Sequence, residues 1–279
     1  MVRPVVLETI AALRAELEGM NVAFVPTMGA LHDGHLALVE RATELADTVV
    51  VSIFVNPLQF SAEEDLDKYP RDLDSDLDLL EPLGVQYVFA PSVAEMYPFG
   101  KTQVKVSGGD VANLFEGRSR PGHFDGVLTV VAKLLGIVRP AFVLFGEKDA
   151  QQIFLVRQMV DDLNFAVKVE MVETVRADDG VALSSRNRFL GASERQAARS
   201  ISRALEAASS AGDRGIDAVL AAAQSVLMDQ ALVKLDYLKV VNPKTFLPVD
   251  DNFHGKARVI LAARVGSTRL IDNDTIYLN

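Results

Sequence analysis

The stretch Val22-Ala23-Phe24-Val25-Pro26-Thr27-Met28-Gly29-Ala30-Leu31-His32-Asp33-Gly34-His35 decides the fold. Its first four residues are apolar without interruption, as in a strand covered on both faces. Beyond it, Leu36, Val39, Ala42 and Ala46 recur at helical spacing and read as the inner face of a helix. His32 and His35 therefore fall at a strand-to-helix turn, where unpaired helix N–H groups and the positive dipole end attract an anion. A phosphate suits such a place. Two other readings stay open on spacing alone. The histidines could cap the helix or stand in solvent, or they could be half of a metal site that needs further ligands.

The same alternation continues outward. Residues 48–54, 87–90, 142–145 and 167–172 read as further strands, joining one at 23–26. Helical patterns cover 5–18, 34–46, 63–82, 123–136 and 150–163. Strands alternating with helices predict an α/β fold, a Rossmann-like doubly wound parallel sheet over residues 1–174. Ligands of such sheets sit beyond the carboxyl ends of the strands. Near residue 175 the pattern changes. Two Ala-rich helices (193–211 and 215–231) precede strand-like runs at 234–241, 258–265 and 268–278. These predict a smaller α+β domain over 175–279.

Composition narrows the function. The chain has 279 residues, 49% of them apolar, enough for a sizeable core. The formal net charge of −10 disfavours a nucleic-acid binder, which needs cations to displace counterions. It leaves room for a small anionic substrate, because local field outweighs net charge. With no cysteine, disulfides, thiolate zinc sites and a cysteine nucleophile are excluded, and a cytoplasmic location is expected. No apolar run approaches the roughly 20 residues that span a bilayer, so no membrane association is expected. Glu8, Arg14 and Glu16 interrupt the first apolar pattern, which reads as an amphipathic helix rather than a signal peptide.

Several polar stretches fall at strand ends. Asn56 and Gln59 follow the second buried run and suit hydroxyls and carboxylates, although Asn56-Pro57 is also a common turn start. Gly29 and Gly34 permit positive φ or close backbone approach. Glu63-Glu64-Asp65 and the alternating Asp72, Asp74, Asp76 and Asp78 read as a solvated helix face. Residues 116–124, with two arginines, two glycines and a histidine, read as a phosphate-facing mobile loop or an ordinary exposed one. Gly146-Glu147-Lys148-Asp149 ends another strand, where Lys148 can neutralise a phosphate and Gln152 can reach the same crevice. Leu183-Ser184-Ser185-Arg186 offers two hydroxyls and a guanidinium, suited to a triphosphate or to a polar hinge. His254 reads as structural or solvated.

Taken together these motifs resemble the pantothenate synthetase family, the AMP-forming pantoate–β-alanine ligases. The likeness runs from Val25–Gly29 and His32–His35 through 52–59, Tyr69-Pro70-Arg71, 116–126, 146–152 and 184–187 to Arg269-Leu270-Ile271-Asp272-Asn273. The pattern His-x-Gly-His alone is shared with other nucleotidylyltransferases. The resemblance implies ATP-dependent condensation of pantoate with β-alanine through pantoyl adenylate, releasing pyrophosphate and AMP, with Mg2+ accompanying ATP. It implies an ATP site of Met28, Gly29, Ala30, Leu31, His32, Asp33, Gly34, His35, Gly146, Glu147, Lys148, Asp149, Val175, Leu183, Ser184, Ser185 and Arg186. His35, His32 and Lys148 would be catalytic. Gln59 and Gln152 would hold pantoate, Gln59 would also meet β-alanine, and Asn56 would help position substrate. No protein metal ligand is implied, and a homodimer is. Ala150 departs from the pattern, standing where the family carries an aromatic residue, which puts the pocket's shape in question. A different nucleotidylyltransferase, a nucleotide sensor without turnover and a metal-binding module remain the competing readings.

Overall fold

The computed structural model describes residues 2–60, 66, 69–100 and 102–279. Glu63-Glu64-Asp65 lies outside the described residues. The chain folds as two compact units. The first comprises Met1–Glu147 and Gln152–Glu173, and the second Lys148–Gln151 and Thr174–Asn279.

The first unit is built on a six-stranded parallel sheet. In chain order its elements are β1 (Val5–Leu7), α1 (Ile10–Glu16), β2 (Val22–Thr27), α2 (Asp33–Leu45), β3 (Thr48–Ile53), α3 (Leu73–Leu80) and β4 (Tyr87–Phe89). Then come α4 (Val93–Met96), α5 (Phe115–Ser119), α6 (His123–Val138), β5 (Phe142–Gly146), α7 (Ala150–Asp162) and β6 (Lys168–Val172). The first two residues of α7 fall in the second unit. The strand order is β1-β4-β3-β2-β5-β6. Every pair in it is parallel.

Side chains alternate across β2 with the period of two that a strand imposes. Val22 and Phe24 pack into one core with Leu13 of α1, Leu128 and Val131 of α6 and Val156 of α7. Ala23 and Val25 enter another with Leu38 and Val39 of α2 and Leu77 and Leu80 of α3. Helices thus cover both faces, which is why β2 reads as an unbroken apolar run. From β2 the chain proceeds outward through β3 and β4, then returns to place β5 on the other flank of β2. The strand order reverses between β2 and β5, so the carboxyl ends of these two strands border the crevice typical of such sheets.

The structure corrects the sequence reading of the first helix and of the acidic stretch, where the helix expected over 63–82 begins, among the described residues, only at Leu73. The helix expected over 5–18 is a three-residue strand followed by a shorter helix. Thr9 caps that helix by accepting from the Ala12 amide. β1 is too short for its period to show, and Val5 is half exposed, at 52%. The acidic face of α3 is not wholly solvated, because Asp76 is buried.

The second unit holds α8 (Ala192–Ser209), α9 (Ile216–Met228), β7 (Val233–Val241), β8 (Gly255–Val265) and β9 (Thr268–Leu278). The strands form an antiparallel sheet in the order β7-β8-β9. Small residues of the helices (Ala197, Ala204, Ala208, Ala223) meet Val259, Leu261, Ala263 and Ile276 in its core. Alanine-rich helix faces let the helices lie close to the sheet, so propensity and packing agree.

Candidate active site

In the first unit, β2 leads into the histidine turn. Thr27 is buried, and its Oγ1 donates to the Ser52 carbonyl at 2.7 Å and accepts from the Gly29 amide at 3.2 Å. Gly29 and Ala30 then adopt φ of +82° and +53°. Glycine is needed at 29 twice over. A Cβ there would stand 2.8 Å from Asp76 Oδ2 and 3.0 Å from Ile53 Cγ2. Ala30 bears a Cβ in the left-handed region, which costs on the order of 1 kcal/mol. The Ala30 and Leu31 amides donate to the two carboxylate oxygens of Asp76, at 3.1 and 2.8 Å. Asp76, only 3% exposed, is thus a clamp on the turn before the histidines.

His32 is the N-cap of α2, and its Nδ1 accepts from the Gly34 amide at 3.1 Å. An acceptor nitrogen carries no proton, so in the neutral ring the proton sits on Nε2. The capping reading is therefore right for His32, and it fixes the tautomer. His35 lies in the first turn with its ring centroid 4.1 Å from that of His32. Gly34 lies within helix α2 and has no positive φ. Among the described residues no three His, Asp or Glu side chains gather to hold a metal ion.

After β3, Asn56 is 1% exposed and caps a short 3-10 turn over Pro57–Gln59. Its Oδ1 accepts from the Leu58 amide at 3.3 Å and from the Tyr97 hydroxyl at 2.8 Å. Its Nδ2 donates to the Gly126 carbonyl at 3.1 Å and to Gln59 Oε1 at 3.2 Å. With Oε1 so engaged, the Gln59 amino group is aimed the other way and lies 2.9 Å from Met28 Sδ. The Gln59 carbonyl accepts from His123 Nδ1 at 2.8 Å, and Arg120 stands 2.9 Å from His123 Nε2. Arginine can only donate, so Nε2 accepts and Nδ1 carries the proton. Burial pushes the Tyr97 hydroxyl up to about 12.

Residues 116–124 are not a free loop. Residues 116–119 lie in α5 and 123–124 begin α6, with 120–122 linking them, and Glu116, Gly117 and His123 are buried. A Cβ at Gly126 would stand 2.1 Å from the Leu58 carbonyl oxygen, so α6 presses its backbone on the turn that holds Gln59. Gln152, on α7, is half-buried.

In the second unit, Lys148 sits in a 3-10 turn over Glu147–Asp149, with Nζ 3.3 Å from Asp149 Oδ1. It lines a small cavity with Ser184, Arg186, Ser202, Arg269 and Asp272. Ser184 caps the turn Ser185–Phe189 by accepting from the Arg186 amide at 3.3 Å. The Val175 carbonyl accepts from the Leu183 amide at 2.9 Å, which ties 175 to the serine segment. Arg176 donates twice to Asp272, at 2.6 and 3.0 Å. Burial raises the Asp272 carboxyl above its ordinary range, and the Arg176 contact opposes that shift. Three cations around one cavity, two hydroxyls and a capped turn suit a polyanion. His254 is exposed in a late loop.

Asp76 and Asn273 are missing from the residues that the sequence nominates. Asp76 had a signal, because Leu73, Asp76, Leu77 and Leu80 fall on one helical stripe.

A family model described as pantoate-beta-alanine ligase matches residues 5–275. A pantothenate synthetase of Leifsonia xyli subsp. xyli is 55% identical over 269 residues, covering 96% of this chain and 93% of that protein. The crystal structure of the pantothenate synthetase from Thermus thermophilus superposes with a TM-score of 0.93 at 49% identity, over 98% of this chain and 99% of that one. The pantoate-beta-alanine ligase of Francisella tularensis, solved with beta-gamma ATP and beta-alanine, gives a TM-score of 0.80 at 34% identity, over 97% of each chain.

Proposed function

The chain belongs to the pantoate-beta-alanine ligase family and condenses pantoate with β-alanine at the expense of ATP, and from that premise we propose how its residues divide the work. The pantoate carboxylate attacks the α-phosphorus of ATP, the bond to the leaving pyrophosphate breaks, and pantoyl adenylate forms. The β-alanine amine then attacks the acyl carbon, loses a proton and expels AMP. This joins two anions and releases a third, so the protein must mainly align them and offset negative charge.

His32, with its proton on Nε2, and His35 donate to phosphoryl oxygens at the α2 N-terminus. Lys148, Ser184, Ser185 and Arg186 hold the rest of the polyphosphate. Met28–Leu31, Gly146–Asp149, Val175 and Leu183 line the nucleotide. Gln59 and Gln152 hold pantoate, and Gln59 also meets β-alanine. Asn56 acts through Gln59. Mg2+ enters as part of the nucleotide substrate. Residues 1–174 bind nucleotide and pantoate, and 175–279 serve as the lid domain. The working unit is a homodimer in the cytoplasm, and the cysteine-free chain fits that compartment.

One observation carries the site assignment. The Gln59 amino group, turned away from Asn56, lies 2.9 Å from Met28 Sδ, so the glutamine for the acyl substrate adjoins the nucleotide turn. The test is pyrophosphate release from ATP. It should require pantoate and not β-alanine, with AMP and an amide formed once β-alanine is added. Release without pantoate, or a nucleotidylated end product, would overturn the proposal.

A further inference from the structure

The terminal motif Arg269-Leu270-Ile271-Asp272-Asn273 has no part in the mechanism above. Two of its side chains are nevertheless buried in the polar interior of the second unit, Asp272 at 3% and Asn273 at 5% exposure. Such groups stay buried only when hydrogen-bonded. Asn273 Nδ2 donates to the backbone carbonyl of Lys148 at 2.9 Å. Its Oδ1 accepts from Arg258 Nη1 at 2.5 Å.

The amide could in principle turn over. Arg258 forbids it, because a guanidinium has no acceptor and must face the amide oxygen. Arg258 is itself buried, comes from β8, and donates also to Thr275 Oγ1 at 3.3 Å. Asp272 Oδ1 accepts from the Asn273 backbone N–H at 2.9 Å, and Arg176 grips the same carboxylate. A relay therefore runs from Arg258 through the Asn273 amide to one carbonyl, that of Lys148. Lys148 is where a cation must be held still, since a misplacement of about 1 Å can cost some hundredfold in rate.

We propose that Asn273, with its amide orientation fixed by Arg258, is a positioning residue for Lys148 in the adenylation step. The inference rests on the reading of Lys148 as a phosphate-facing cation. Asn273 itself touches no reacting atom.

The test is pantoate-dependent ATP–pyrophosphate exchange by the full chain, with Lys148→Ala, Asn273→Asp and the double variant. Asn273→Asp keeps the Arg258 contact but sets a carboxylate oxygen against the Lys148 carbonyl. It should lower kcat of exchange about tenfold to a hundredfold, by loss of alignment. The pantoate KM should stay within about twofold, since no pantoate contact is lost. The double variant should be no slower than Lys148→Ala alone, because residues acting as a unit are not additive. Independent, multiplying effects, or an unchanged kcat in Asn273→Asp, would overturn the proposal while leaving the role of Lys148 intact. Full exchange by Lys148→Ala would instead overturn the parent reading and this one with it. If Asn273→Asp does not fold, the Arg258 pair replaces it. Arg258→Lys, which retains a donor, should keep clearly more exchange than Arg258→Met at equal thermal stability. Equal losses would count against the relay.

Discussion

Asp76 Oδ1 lies 2.8 Å from the Leu31 amide nitrogen, so a carboxylate from α3 holds the turn that delivers His32 and His35. The companion bond from the Ala30 amide to Oδ2 makes the clamp two-handed. Asp76→Asn has one acceptor oxygen for two donors. Leaving one buried amide unpaired costs about 1–3 kcal/mol. We expect a drop in Tm and a raised KM for ATP, with pantoate KM little changed. Melting curves with and without ATP, together with initial rates, check this. A pantoate-only defect would contradict it.

His35→Ala and Lys148→Ala should each lose about 10²–10³ in kcat, as when one preorganised donor is removed from a charge-stabilising site. Circular dichroism should show the fold retained. The quantity to measure is pantoate-dependent ATP–pyrophosphate exchange. Near-wild-type exchange in either variant would remove that residue from the mechanism.

Gln152→Ala should chiefly raise the KM for pantoate. Gln59→Ala should raise the KM for both pantoate and β-alanine. Steady-state kinetics with each substrate varied in turn separates these from a nucleotide defect. A change confined to the ATP KM would show that the glutamine roles are wrong.

Gly126→Ala places a methyl 2.1 Å from the Leu58 carbonyl oxygen, so α6 or the Gln59 turn must move. Overpacking of this kind costs about 1–3 kcal/mol or more. At about 2–4 °C per kcal/mol for a chain of this size class, Tm should fall by several degrees. Pantoate affinity should fall with it, because the displaced turn carries Gln59. Calorimetry and pantoate titration test both parts.

Tyr97 gives a pH dependence whose sign follows from burial. Its folded value is raised from the ordinary 10.0 to about 12, so the neutral hydroxyl is favoured in the folded state. The stability this contributes is complete below pH 10 and disappears as pH rises toward 12. Tyr87 is also raised, by burial and by Glu16, so the tyrosinate absorbance change to follow is the component near pH 12 that Tyr97→Phe removes. Alkaline melting should be less steep with pH in that variant.

The legible parts of this chain are those in which one period dominates. β2 and β3 announce themselves because both faces are covered, and α6 because nearly every turn is apolar. β1 could not be read, since so short a strand shows no period and its pairing partner, β4, lies far along the chain. The site was legible in its residue types and not in their partners. His32 was nominated, but only the Gly34 contact reveals which nitrogen bears the proton. Asp76 was lost among alternating aspartates, although its place on the Leu73–Leu80 stripe set it apart. Asn273 falls within the terminal motif, and nothing local reveals that its amide ends on a carbonyl 125 residues earlier.

The four residues Lys148–Gln151, grouped with the second unit while the chain on either side belongs to the first, bear on how the protein can be cut and recombined. A gene fragment beginning near residue 175 would encode every strand of the three-stranded sheet but omit the carbonyl that Asn273 serves. Its product would lack the Lys148 carbonyl to which Asn273 Nδ2 donates at 2.9 Å. The segment from Thr174 onward is therefore not an interchangeable cassette. A chimera with another family member should place its junctions so that 148–151 and 174–279 come from the same parent, even though residues 152–173 of the other parent would then lie between them.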